Sequence, residues 1–274
     1  MGIVRTDEWL DESFSKRVQI EEHILDTVNM REQALIETLN KSGLYKPNRK
    51  TNKTFQMMKE RKTWSRLSHY YKKYKKEWNG PDIPVFLFPM ASEAFTLFRS
   101  ATKHKSGIAF VDKLFLFITE NVKDKELEAL FVHEYHHTTR LNRLGNRVKQ
   151  RLADSIIMEG LAEFAVSEYC GDTYLAPWVT SYDKKELEKI ISEKFKPNLE
   201  LKRSDPLHDK LLFGNGSMPK MAGYAVGYKL VKDYAKQHSY NTKDMIGLSS
   251  DKIIVRYWFY LENLFTAQIR NIFL

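Results

Sequence analysis

Residues 131–137 read FVHEYHH, and the histidines at 133 and 137 are the strongest constraint in the chain. Side chains four residues apart share one face on an α-helix, one turn from each other. Two neutral imidazoles held that way can chelate one zinc ion. Glu134 follows the first histidine directly, at the position that the HExxH pattern gives to the general base for a metal-activated water. Tyr135 and His136 fill the variable positions. His136 is rotated about 100° from either neighbour and is expected to face elsewhere. The segment must therefore be a helix, packed so that another element supplies a third ligand.

The surrounding sequence is punctuated accordingly. Asp124 can cap the start of KDKELEALFVHEYHHTTRLNRLG and Gly145 can stop it, which predicts a helix over about 125–144. RVKQRLADSIIMEGLAEFAVSEYCG predicts a second helix, stopped near Gly171. The metzincin extension needs glycine at position 140 and histidine at 143; Arg140 and Arg143 stand there and exclude it. The second helix offers carboxylates instead. Glu159, in EGLAEF, lies 22 residues after His137, close enough for a helical hairpin, and Glu163 shares its face four residues on. One carboxylate can bind the metal while the other takes the free N–H of a ligating histidine. We assign Glu159 to the ion and Glu163 to the histidine; the exchanged assignment is the alternative. Two imidazoles and a carboxylate suit Zn2+ best among divalent ions.

The rest of the chain frames these helices. Apolar positions from Phe14 to Leu39 predict helix over 7–40, broken by Gly43 and Pro47. IPVFLFPM and GIAFVDKLFLFITE are rich in β-formers and read as strands. A charged helix, KKELEKIISEKF, is followed by KPNLELKRSDPLHDKLLFGNGSMPK, whose breakers predict a long irregular segment. MAGYAVGYKLVKDYAKQ returns to helix, with Gly223 and Gly227 small enough for close packing. The last twenty residues are apolar and aromatic but interrupted by Arg256, Glu262 and Arg270, which predicts a core helix. Helices, a few strands, then mostly helices make an α+β fold with a small central sheet.

Charge is uneven. Residues 41–77 hold thirteen Lys or Arg against two acids, a surplus of +11 in a chain whose net charge is +9. Trp64, Leu67, Tyr71, Tyr74 and Trp78 recur at helical spacing there, so Lys72, Lys73, Lys75 and Lys76 fall mostly on outer faces. A basic surface helix over a buried aromatic stripe is the expectation, and no nucleic-acid partner is expected. No transmembrane segment is expected either, because no run of about 18 uncharged apolar residues exists. Cys170 is the single cysteine, so no internal disulfide can form. The absence of an apolar leader in MGIVRTDEWLDESF fits a cytoplasmic location.

VHEYHH, followed by MEGLAEFAV and later by AGYAVGYKLV, resembles the YjaZ-like family of predicted zinc-dependent proteases, from the N-terminal helices through residue 245. More broadly, HExxH with a downstream glutamate in an EG segment is similar to gluzincin metallopeptidases. The resemblance implies a zincin-like fold, with His133, His137 and Glu159 as ligands, Glu134 as base, and a peptide or protein substrate. The chain is expected to comprise an N-terminal helical region (1–80), a metallopeptidase core (81–245) and an apolar tail (246–274), together one structural unit. Related enzymes stabilise the oxyanion with a downstream Tyr or His; Tyr224 and Tyr228, four apart in GYAVGY, come before His208 as candidates. In zincin folds a sheet edge aligns the substrate by β-augmentation, and residues 113–119, in KLFLFITE, are the expected edge. Two other readings are a non-catalytic zinc-binding structural or regulatory protein, and a basic surface binder of acidic partners through residues 41–77.

Overall fold

Two strands buried on every residue anchor the structure: β1 (Val85–Pro89) and β3 (Leu114–Ile118). They pair in parallel, Val85 opposite Leu114, and β2 (Lys105–Ala109) pairs antiparallel on the other side of β3. The sheet order is thus β1-β3-β2. The computed structural model describes residues 1–29, 33–91, 104–216 and 218–255. The helix expected over the last twenty residues lies outside these from residue 256 on.

The sheet corrects one expectation. KLFLFITE forms the central strand, not an edge. An uninterrupted apolar run such as LFLFI has no face to offer water, so it belongs where both faces and both edges are covered. Of the two edge strands among the described residues, β1 is buried along its length and β2 is partly exposed along its length. The fold class stands as expected, a mostly helical α+β chain with a small sheet.

The chain divides into two compact units, Met1–Asn142 with Tyr169–Tyr174, and Arg143–Glu168 with Leu175–Leu274. In the first, α1 (Thr6–Ser13), α2 (Arg17–Thr27), α3 (Gln33–Ser42), α4 (Arg49–Glu60) and α5 (Thr63–Trp78) precede the sheet. The single helix expected over 7–40 is broken after Ser13. Phe14 stacks on Phe55 and packs on Tyr45, whose hydroxyl donates to the Phe14 carbonyl at 3.0 Å, and the chain turns where this residue docks. In α5 the stripe Trp64, Leu67, Tyr71, Tyr74 and Trp78 is buried throughout, while Lys72, Lys73 and Lys76 are exposed, as expected.

Helix α6 (Asp124–Leu144) follows β3 and contains residues 133–137. Glu126 accepts from the Lys123 N–H at 2.8 Å, filling one of the free donors at the helix start. Gly145 ends the helix with φ +51°, a conformation that other residues adopt only with strain.

The second unit holds most of α7 (Leu152–Cys170), then α8 (Lys184–Ile190), α9 (Pro206–Phe213), α10 (Ala222–His238) and α11 (Thr242–Met245). Helix α9 corrects the irregular segment expected there: Asp205 caps it through the Leu207 N–H, and Pro206 occupies its first turn, where its missing N–H costs nothing. The expected close packing of α10 is present at both glycines. A Cβ on Gly227 would lie 1.9 Å from the Ile156 carbonyl oxygen of α7, and one on Gly223 would lie 2.7 Å from the Leu212 Cα of α9. Among the described residues, no helix is long and apolar enough to cross a membrane.

Candidate metal centre

The rotation of α6 about its own axis is set by aromatic rings. Phe131 and Tyr135, one turn apart, stack at 5.2 Å and pack on Tyr71, Tyr74 and Trp78 of α5. The Tyr135 hydroxyl donates to the Pro81 carbonyl at 2.8 Å, which pins the ring at its far end. His133 and His137 lie two residues beyond these anchors, about 200° around the helix, and so turn away from the aromatic packing. His136 behaves as expected and faces elsewhere: it is fully buried, edge-on to Trp78 at 5.7 Å.

Nearer the start of α6, Glu128 fastens the helix to α5. It accepts from Tyr74 at 2.7 Å, Lys73 at 2.8 Å and Lys125 at 2.7 Å. Burial alone would raise its pKa, but these hydrogen bonds outweigh burial and hold the carboxyl down at about 2.

The histidine pair converges. The Nε2 atoms of His133 and His137 are 3.0 Å apart, with the rings at 86°. Two nitrogens each about 2.0 Å from one tetrahedral ion stand about 3.3 Å apart, so the spacing fits a shared ion. His133 and His137 lie in the first unit and Glu159 in the second, so the imidazole pair is the part of the candidate site that one unit holds by itself. Two imidazole nitrogens and a carboxylate oxygen are a donor set that suits zinc and leaves a fourth position open.

Glu159 and its neighbours on α7 are placed by a backbone contact. Gly160, directly after Glu159, meets the Gly227 carbonyl of α10 so closely that a Cβ would stand 2.2 Å from it. The glycine of the EG dipeptide is thus required by space rather than by dihedral angle. Glu163, one turn on, is buried and accepts from the Ala176 N–H at 3.0 Å. Tyr224 and Tyr228 flank Gly227 on α10. Tyr224 is buried, its ring edge-on to Trp178 at 5.6 Å and against Phe213 at 6.2 Å. Tyr228 is 6 % exposed, with its hydroxyl 3.4 Å from the Lys232 ammonium.

His208 is not a loop residue. It sits on α9, 1 % exposed, with Nε2 2.9 Å from Ser155 Oγ and Nδ1 2.8 Å from Asp209 Oδ1.

One neighbour of the motif escaped the sequence reading. Gly107, in the middle of β2, faces Glu134: a Cβ there would lie 2.5 Å from Glu134 Cγ and 2.7 Å from Cδ and Oε1. The signal was present, because an isolated glycine within a strand marks a close approach.

The chain is 35% identical over 223 residues to "Uncharacterized protein YjaZ" of Bacillus subtilis (strain 168), covering 81% of this chain and 85% of that one. It is 30% identical over 137 residues to "Uncharacterized protein YjfC" of the same organism, 47% and 46% of the two chains. No solved structure matches it. Residues 63–255, which include both α6 and α7, match the family described as Predicted Zn-dependent protease (DUF2268), and the chain belongs to that family.

Proposed function

We propose that this protein is a zinc-dependent peptidase of the gluzincin type, with His133, His137 and Glu159 as the ligands and Glu134 as the general base. The observation that carries the reading is the convergence of two imidazole nitrogens, 3.0 Å apart on one face of α6, with a glutamate directly after the first histidine. Family membership supports it. A purely structural zinc site uses four protein ligands and has no need of a base.

Zinc held there supplies Lewis acidity, polarising the peptide carbonyl and acidifying water. The chain's own residues do the proton work. Glu134 takes a proton from the attacking water and returns it to the leaving amine. Glu163 holds the geometry of α7 one turn beyond Glu159, and we assign it the free N–H of a ligating histidine. Tyr224 and Tyr228 are the candidates for the hydroxyl that steadies the developing oxyanion. The outer edge of the partly exposed β2, whose Gly107 lies against Glu134, is the place for an extended peptide to add as a further strand. A peptide or protein substrate follows from that chemistry.

The test is Glu134→Gln assayed on a fluorogenic peptide library. The variant keeps its zinc and loses about 100-fold or more in kcat. Cleavage at the wild-type rate would remove Glu134 from the role of base. A wild-type protein that binds zinc but cleaves nothing would favour the structural or regulatory alternative.

A further inference from the structure

We infer that Gly107 is a positioning residue for Glu134: the absent side chain is the space that the base occupies. The inference rests on the peptidase reading for its consequence, but its geometry is independent of it.

Both walls of that space are fixed. Gly107 pairs with Leu116 of the buried central strand, so β2 cannot retreat. Glu134 rides on α6, whose rotation is locked by Phe131 and Tyr135 against α5. A methyl group on Gly107 would meet the Cγ, Cδ and Oε1 atoms of Glu134 at 2.5 to 2.7 Å, inside van der Waals contact. Gly107 does not have a positive φ, so alanine fits its backbone and only room is lacking. With strand and helix both held, the flexible member is the Glu134 side chain, which must swing to another rotamer. A base displaced by about 1 Å loses on the order of 100-fold in rate while substrate binding and the ligands are untouched. The glycine therefore leaves room for the rotamer that the Glu134 side chain adopts.

Two readouts test this. Crystal structures of the wild type and Gly107→Ala give the position of the Glu134 carboxylate whatever the activity. A shift of about 1 Å or more, with His133 and His137 unmoved, is expected; an unmoved carboxylate overturns the inference and leaves the peptidase reading intact. Fluorescein-labelled casein gives the consequence. Gly107→Ala should lower kcat by about 100-fold at unchanged KM and unchanged zinc content. In the Glu134→Asp background, where the side chain is one methylene shorter, the same alanine should change kcat less than about twofold. An equal loss in both backgrounds, or a loss in KM alone, overturns the positioning role. If the zinc-loaded wild type leaves casein intact, the peptidase reading suffers and the crystal structures decide the inference alone. Should Gly107→Ala fail to fold, Gly107→Ala/Glu134→Ala removes the obstructing atoms and is expected to fold; its failure would place the conflict elsewhere and overturn the inference.

Discussion

Helices α6 and α7 carry the candidate ligands, yet their surroundings hold them by opposite means. Around α6 the sequence is crowded with rings: Tyr71, Tyr74, Trp78, Phe131 and Tyr135 interlock at centroid distances of 5.1 to 6.4 Å. Around α7 the decisive residues have no side chain, and Gly160 and Gly227 bring two backbones together. A ring clamp fixes rotation, because two aromatic residues one turn apart leave the helix a single way to seat. A glycine contact fixes distance, because nothing can be trimmed further. His133 and His137 need rotation set correctly so that both Nε2 atoms converge. Glu159 sits beside the glycine contact on α7, so its Cα height above α10 is set by that contact.

The contrast predicts different responses to mutation. Trp78→Ala should cost about 3–5 kcal/mol in urea unfolding, the range for deleting a buried indole. A cost near 1 kcal/mol would mean that the ring clamp is not what seats α6. Gly227→Ala adds a single methyl to a contact at 1.9 Å from the Ile156 carbonyl. It should cost about 1–3 kcal/mol through overpacking, since backbone cannot rotate out of the way. A neutral substitution would show that α7 and α10 do not approach as described.

The smallest effect concerns the polar fastening of α6 and depends on pH. Glu128 has its pKa lowered from 4.5 to about 2, so its contribution to stability is complete above pH 4.5 and is lost as pH falls toward 2. Glu128→Gln should lower Tm at neutral pH and flatten the decline between pH 4.5 and 2. An acid limb as steep as that of the wild type would assign the pH dependence to other carboxylates.

Much of this was legible in the chain. Residues 133–137 fell on the expected helix because spacing, an acidic start and a terminal glycine all agreed. The basic stretch around α5 was read correctly because a 3.6-residue aromatic period separates buried from exposed positions. The misplaced edge had a different cause: it was carried over from zincin folds, whereas the lack of alternation in LFLFI already signalled burial on both faces. The break after Ser13 was not legible, since no Gly or Pro marks it and the contact made there, with Tyr45, is tertiary. Gly107 carried a signal, as an isolated glycine in a strand, but the residue it makes room for lies on α6, 27 residues later in the chain.

The central claim is that His133, His137 and Glu159 hold one zinc ion. Its most direct test is metal content by inductively coupled plasma mass spectrometry after dialysis against a weak chelator, on the wild type, His133→Ala and Glu159→Gln. The account predicts about one zinc per wild-type chain and little in either variant. A wild type that retains no zinc and regains none on addition, or a His133→Ala protein that keeps a full complement, would contradict it.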